Sequence, residues 1–145
     1  MTTANLILSL VLITLARRAT SCSCVQQSLE EKLCKASFVV VGEVVSQKDH
    51  AIAKYGETPI TELRYTIAVK NVLKSQSEIG ETMTISTPPS SASCGVRLEQ
   101  GATLLIAGNE SNGKYNINIC SGVKAEVEDE SGTFPAYERI LNNDC

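Results

Sequence analysis

The apolar positions of this chain change their period several times, and each change marks an element. Leu6 to Leu15 is an unbroken apolar run, followed by Arg17, Arg18 and the small residues Ala19, Thr20 and Ser21. Ser28, with Glu31 three positions on, has the form of a capping box, and predicts a short helix running to about Cys34. Phe38 to Val45 is nearly continuous in β-branched residues and predicts a buried strand, with Gly42 as a bulge or bend. Residues 46 to 61 are polar and contain Gly56 and Pro59, which predicts an exposed hairpin loop long enough to reach a partner. From Leu63 to Val72 the pattern alternates, with Leu63, Tyr65, Ile67 and Val69 on one face and Arg64, Thr66, Ala68 and Lys70 on the other. That is a strand buried on one side. Met83 to Ser86 is a further short strand, and Pro88 to Ser93 is an extended, turn-prone stretch ending at Cys94 and Gly95.

Ala102 to Ala107 is an apolar strand, Gly108 to Gly113 a turn, and Tyr115 to Cys120 the alternating hairpin partner. Residues 124 to 132 are acidic and read as a loop, and Pro135 to Asn142 as a terminal helix with proline in its first turn. The sum is mainly β: five short strands with a helix at either end, without internal repeats. This is the element count of a small five-stranded barrel, closed or partly open, of the OB-fold type.

The run at Leu6–Leu15 is about half of what a bilayer-spanning helix needs, which makes residues 1–21 a secretory signal and not a membrane anchor. Residues 22–145 then form one domain, since a chain of this size builds a single core. The sequence holds 13 basic and 16 acidic residues. Loss of Arg17 and Arg18 with the signal leaves 11 basic residues and a net charge of −5. A chain so charged, with no basic run, has no field for nucleic acid or an anionic membrane.

All six cysteines, Cys22, Cys24, Cys34, Cys94, Cys120 and Cys145, follow the signal. In an exported chain an even count implies disulfides, here three, and fifteen pairings are open. Pairing the first three with the last three would close loops of roughly 70 to 110 residues, each worth on the order of 4 kcal/mol in the chain-entropy treatment. A zinc or redox Cys-x-Cys site would need further ligands or a reducing compartment. Asn109-Glu110-Ser111 is an N-glycosylation acceptor, sensible on an exposed loop of an exported protein.

Enzyme chemistry finds little support. His50 is the only histidine and falls in the polar stretch, and neither a Ser-His or Cys-His pattern nor a Gly-rich phosphate loop is present. The carboxylates Glu126, Glu128, Asp129 and Glu130 read as a solvated face. The chemistry-bearing stretch is Cys22-Ser23-Cys24-Val25. Cleavage after Ser21 would give Cys22 a free α-amine beside its own carbonyl, a pair that closes a five-membered ring around a cation and can fill the open position of a zinc site in another protein.

The start Cys22-Ser23-Cys24-Val25, the nine residues between Cys24 and Cys34, the strand from Val39 to Ser46, the segment Pro89 to Val96, the phrase Leu105-Ile106-Ala107-Gly108 and the spacing of Cys120 and Cys145 together resemble the N-terminal, netrin-like domain of the tissue inhibitors of metalloproteinases. The resemblance covers nearly all of residues 22–145. It implies an OB-like barrel with disulfides Cys22–Cys94, Cys24–Cys120 and Cys34–Cys145. It implies that the amine and carbonyl of Cys22 bind the catalytic zinc of a matrix metalloproteinase and displace the attacking water. Ser23 would point into the protease's main specificity pocket, and Cys24, Val25, Ala92 and Ser93 would complete the inhibitory edge, the last two on the unprimed side of the cleft. The implied protein is a secreted, extracellular or matrix-associated monomer with no cofactor of its own. An α-amine with an ordinary pKa of about 7.7 to 8.0 must lose its proton to bind metal, so inhibition should weaken in acid.

The chain departs from the family in two places. Gln26-Gln27-Ser28-Leu29-Glu30 stands where Pro-x-His-Pro-Gln is usual, and Val41-Gly42-Glu43 stands in place of Arg-Ala-Lys. The second domain of vertebrate members, with three more disulfides, lies outside the resemblance. The competing expectation is a netrin-like binding module with the same barrel and no inhibitory activity. A cysteine at the first mature position favours the inhibitor.

Overall fold

The computed structural model describes residues 22–126, 135–143 and 145. The expected signal at 1–21, and most of the acidic stretch read as a loop at 124–132, lie outside them. Helix α1 (Leu29–Lys35) begins where the capping box predicts. The backbone N–H of Glu31 donates to Ser28 Oγ at 3.1 Å, and the N–H of Ser28 donates to Glu31 Oε2 at 3.0 Å. Its last turn is closed from another element, because Lys74 Nζ donates to the carbonyls of Leu33 and Cys34 at 3.2 and 2.8 Å. A cation there satisfies carbonyls that have no partner within the helix.

Strands β1 (Phe38–Tyr55), β2 (Thr58–Ser75), β3 (Thr82–Thr87), β4 (Thr103–Ser111), β5 (Lys114–Asn116) and β6 (Val123–Glu126) follow, then helix α2 (Pro135–Asn143). The sheet runs β1-β2-β3-β5-β4-β6, and β1 also pairs with β4 from Phe38↔Gly108 to Glu43↔Thr103. That pairing closes five strands into a ring, with β6 added outside on β4. All contacts are antiparallel except β3 with β5.

Two clusters explain the apolar patterns. Phe38, Val40, Val44, Leu63, Tyr65, Ile67, Ile85, Leu104 and Ile106 fill the ring. Val39, Val41, Leu105, Ala107 and Val123 face outward under the two helices, and Leu33 of α1 packs onto them. The stretches 38–41 and 104–107 are therefore apolar at consecutive positions because both faces of β1 and β4 are covered there, whereas Val45, at the end of the expected buried run, is exposed. β2 is covered on its inner face, and there the sequence alternates. At Gly42 the β1–β2 register shifts, and a Cβ would meet Ile67 Cγ2 and the carbonyl of Ala68, so glycine lets the strands approach at the bend.

The structure corrects four boundaries. Residues 46–61 are the two strands themselves, continued beyond the ring as a ribbon that turns at Gly56-Glu57. Every residue from 51 to 60 is exposed, and the arm of β1 from Ser46 to Tyr55 spans roughly 30 Å at about 3.3 Å per residue. A polar composition marks exposure, and a two-stranded ribbon is exposed on both faces, so polarity could not separate it from a loop. The turn expected at Gly108–Gly113 narrows to Asn112-Gly113, both at positive φ (53° and 72°), the conformation a two-residue hairpin turn requires. The strand expected to Cys120 stops at Asn116, since Asn118 Oδ1 accepts from the N–H groups of Cys120 and Ser121, both at 2.9 Å, and turns the chain. Val123–Glu126, the start of the supposed acidic loop, is a sixth strand on β4.

Candidate functional site

Residues 22–28 have no regular structure and lie across one end of the barrel, where disulfides hold them. The structure pairs Cys22 with Cys94 and Cys24 with Cys120, each with Cα atoms 5.2 Å apart, and Cys34 with Cys145. Cys22 is half-buried, whereas Ser23, Cys24, Val25 and Gln26 are exposed. Val25 is 85% exposed, although it is a β-branched hydrocarbon held between two fixed points.

The segment on the far side of the first cystine is equally constrained. Ser91–Ser93 forms a single 3-10 turn. Ser93 Oγ donates to the Ser90 carbonyl at 2.9 Å, and the N–H groups of Ser93 and Gly95 reach the same oxygen at 3.1 and 2.8 Å. Cys94 adopts the left-handed conformation, φ 68° and ψ 21°. Side chains other than Gly, Asn and Asp seldom enter that region, so the turn and the cystine hold it against a local cost. At Gly95 a Cβ would collide with the carbonyls of Pro88 and Ser90. Beyond it, Val96 N–H donates to the buried Thr87 Oγ1 at 2.9 Å and Leu98 N–H to Tyr65 OH at 3.3 Å. These bonds join the loop to β3 and to the core. Ile119 N–H donates to the Cys94 carbonyl at 2.9 Å, tying the third loop to the second.

Cys22, Ser23, Cys24 and Val25 are thus brought beside Ala92, Ser93 and the turn at 118–121. Ala92 and Ser93 are exposed. Sequence reasoning missed what borders them. A groove of about 340 Å³ runs from Pro88, Pro89 and Ser93 to Ile52 and Ile60 at the base of the ribbon. Ile52 lies where the β1–β2 register shifts, between Ala51 and Ala53, and is 54% exposed. Its apolar character in a polar stretch was the available signal. On the other side, Val25 to Ser28 with Lys32 line a more polar hollow of about 530 Å³. Gln26 and Gln27 border this hollow, while Ser28 to Glu30 belong to the start of α1, so the departure from the family pattern falls on both the edge and the helix cap.

The Sγ atoms of Cys22, Cys94 and Cys120 lie within 4.8 Å of one another. This is the one grouping of ligand-bearing side chains close enough to hold an ion among the described residues. All three are in cystines, however, and a cystine sulfur is no thiolate ligand. Asn109 lies within β4 rather than in a turn, half-buried, with Nδ2 donating to Ser121 Oγ at 3.2 Å. His50 stands on the exposed ribbon opposite Glu62. Among the described residues, no helix is long and apolar enough to cross a membrane.

Comparison with known proteins accounts for this arrangement. Residues 20–127 match the family model of the tissue inhibitor of metalloproteinase. The chain is 38% identical over 116 residues to metalloproteinase inhibitor 2 of Homo sapiens, covering 77% of this chain and 51% of that protein. The Canis lupus familiaris protein of that name is 39% identical over the same length and coverage. That of Gallus gallus is 33% identical over 118 residues, 78% of this chain and 52% of that protein. The chain spans about half the length of the curated relatives it matches. With the matched residues running through the tethered N-terminal segment, the 3-10 turn and the ring of strands, the chain belongs to the tissue inhibitor of metalloproteinase family.

Proposed function

We propose that this protein is a secreted inhibitor of zinc metalloproteinases of the matrix class and acts through the α-amine and carbonyl of Cys22. The observation that carries the proposal is the segment Cys22-Ser23-Cys24-Val25, half-buried at Cys22 and exposed from Ser23 to Val25, fixed by cystines at both Cys22 and Cys24 to a closed barrel. Cleavage after Ser21 supplies the amine. Amine and carbonyl on one residue are two ligands at fixed separation, suited to the open position that a catalytic zinc keeps for its water. The cystines remove most of the freedom that a linear peptide would lose on binding, which lowers the cost of association. Ser23 then faces the specificity pocket, and its small side chain suits many pockets. Ala92 and Ser93 follow the unprimed side of the cleft, and the zinc contacted is the target's own.

The test is a titration of a matrix metalloproteinase catalytic domain with secreted, oxidised protein whose intact mass shows a chain beginning at Cys22. The expected result is stoichiometric loss of protease activity. Full activity at high excess of inhibitor would overturn the proposal and leave the barrel as a netrin-like extracellular binding module.

A further inference from the structure

The two cystines beside the candidate edge touch each other. Cys120 Sγ is 3.9 Å from Cys94 Sγ and 3.7 Å from Cys22 Sγ, and Cys22 Sγ is 4.0 Å from Cys24 Sγ. Four sulfurs thus lie in one chain of near contacts, each about 2 Å short of a covalent S–S bond. A thiolate generated on any of them has a second disulfide directly in front of it. Exchange between cystines elsewhere in a folded protein needs a large excursion of the backbone; here it needs a local one.

We infer that this sulfur cluster is a thiol-triggered switch that converts Cys22–Cys94 and Cys24–Cys120 into Cys22–Cys24 and Cys94–Cys120, untying the N-terminal segment from the barrel. The trigger is an external thiolate of the glutathione class. Cys24 is the exposed member of the four residues, so attack falls on its Sγ, forming a mixed disulfide and releasing the Cys120 thiolate. Cys120 then attacks Cys94 Sγ, 3.9 Å away, forming Cys94–Cys120 and releasing the Cys22 thiolate 4.0 Å from Cys24 Sγ; attack on Cys22 Sγ, at 3.7 Å, would instead release Cys94 and lead to the alternative isomer Cys22–Cys120 with Cys24–Cys94. Cys22 attacks Sγ of the mixed disulfide at Cys24, forms Cys22–Cys24 and returns the external thiolate. Two S–S bonds are present before and after, no electron is gained or lost, and the thiol is a catalyst.

Geometry permits the product. Two residues of extended chain span about 6.6 Å, the upper limit of the 4.4–6.8 Å over which a cystine joins Cα atoms, so closure needs a bend at Ser23, and the two Sγ atoms already lie 4.0 Å apart. The native pairs span 72 and 96 residues, whereas the new pairs would span 2 and 26. Shorter loops constrain the chain less, so chain entropy favours the isomer while the native contacts of the edge oppose it. The left-handed Cys94, freed from Cys22, also loses one of the two restraints that hold it there. The effect on inhibition rests on the function proposed above; the exchange itself does not.

The experiment uses the oxidised chain with substoichiometric reduced glutathione under argon, quenched with N-ethylmaleimide, digested and mapped by mass spectrometry. Expected are an unalkylated Cys22–Cys24 peptide and a Cys94–Cys120 linked pair appearing together, Cys34–Cys145 retained, and free thiol no greater than that added. Persistence of the native pairs alone, accumulation of mixed disulfides, or the isomer Cys22–Cys120 with Cys24–Cys94 would overturn the inference. In the Cys24→Ser, Cys120→Ser variant the relay has no second cystine, and Cys22–Cys94 should outlast the same treatment at least tenfold longer than in the native chain; equal loss would also overturn it. Inhibitory titre measured in parallel should fall in proportion to the isomer, and isomer with undiminished titre would refute the switch. A sample with no inhibition before glutathione is added would count against the proposed function, while the disulfide map still decides the exchange.

Discussion

Removal of one cystine from the paired cluster should cost less than its loop length suggests, and removal of the second should cost more. Taken alone, the crosslink Cys24–Cys120 closes 96 residues, and the chain-entropy relation gives about 4.7 kcal/mol. With Cys22–Cys94 intact, however, the path between Cys24 and Cys120 runs two residues back to Cys22, across the bond, and 26 residues on from Cys94. The effective loop is roughly 28 residues and the expected loss about 3.6 kcal/mol. The same path applies to Cys22–Cys94 when Cys24–Cys120 is kept. Once one cystine is gone, the retained Cys34–Cys145 still shortens the other's circuit, to roughly 35 residues for Cys24–Cys120 and roughly 63 for Cys22–Cys94, worth about 3.8 and 4.3 kcal/mol. The structure therefore predicts a small coupling, about 0.2 to 0.7 kcal/mol, between the two, with the double removal costing slightly more than the sum of the singles. Urea unfolding of Cys24→Ser/Cys120→Ser, Cys22→Ser/Cys94→Ser and the quadruple variant, all keeping Cys34–Cys145, measures it. Each pair removal should lower the midpoint by on the order of 2 M. Single losses below about 1 kcal/mol, or a double removal costing clearly less than the sum of the singles, would refute the view that these cystines act by jointly restraining one short circuit of chain.

Four further outcomes are expected. Extending the mature chain by one alanine ahead of Cys22 converts the amine to an amide and should abolish inhibition, at least a thousandfold in the inhibition constant, with the urea midpoint unchanged; retained potency would exclude the amine as a zinc ligand. Ser23→Gly removes a small side chain from the proposed pocket contact and should weaken binding by about 0.5–1 kcal/mol, two- to fivefold, across several proteases; an identical inhibition constant would place Ser23 outside the pocket. Tyr65→Phe deletes the acceptor for Leu98 N–H in a buried setting, and a loss of about 1–3 kcal/mol in urea unfolding is expected, whereas a neutral result would mean water replaces the hydroxyl. Inhibition should weaken as pH falls below about 7.7, by up to tenfold per unit, because the protonated α-amine has no lone pair for zinc; a flat profile, after correction with an inhibitor lacking a titrating ligand, would contradict amine coordination.

Much of this protein was legible in one dimension. Local rules sufficed for α1, since Ser28 and Glu31 interact across three residues and need nothing else. They sufficed for the inner face of β2, where Leu63, Tyr65 and Ile67 alternate because one side alone is covered. The chemistry proposed for Cys22 could be framed from the sequence as well, because an amine next to a carbonyl belongs to a single residue; what the structure adds is the pair of cystines that hold it. The tertiary structure decided what depends on partners distant in sequence. The continuous apolar run at 38–45 reads as buried, but the ring inside and the helices outside settle which residue faces which cluster. Val123–Glu126 is a strand because β4 offers it a free edge, a fact absent from its acidic composition. Ile52 and Ile60 acquire meaning only when the ribbon stands next to Pro88, Pro89 and Ser93. The contact between the two cystines is the clearest case: the cysteine spacing shows that bridges exist, but the 3.7 to 4.0 Å between their sulfurs follows from the convergence of three loops at one end of the barrel, and sequence separation carries no measure of that distance.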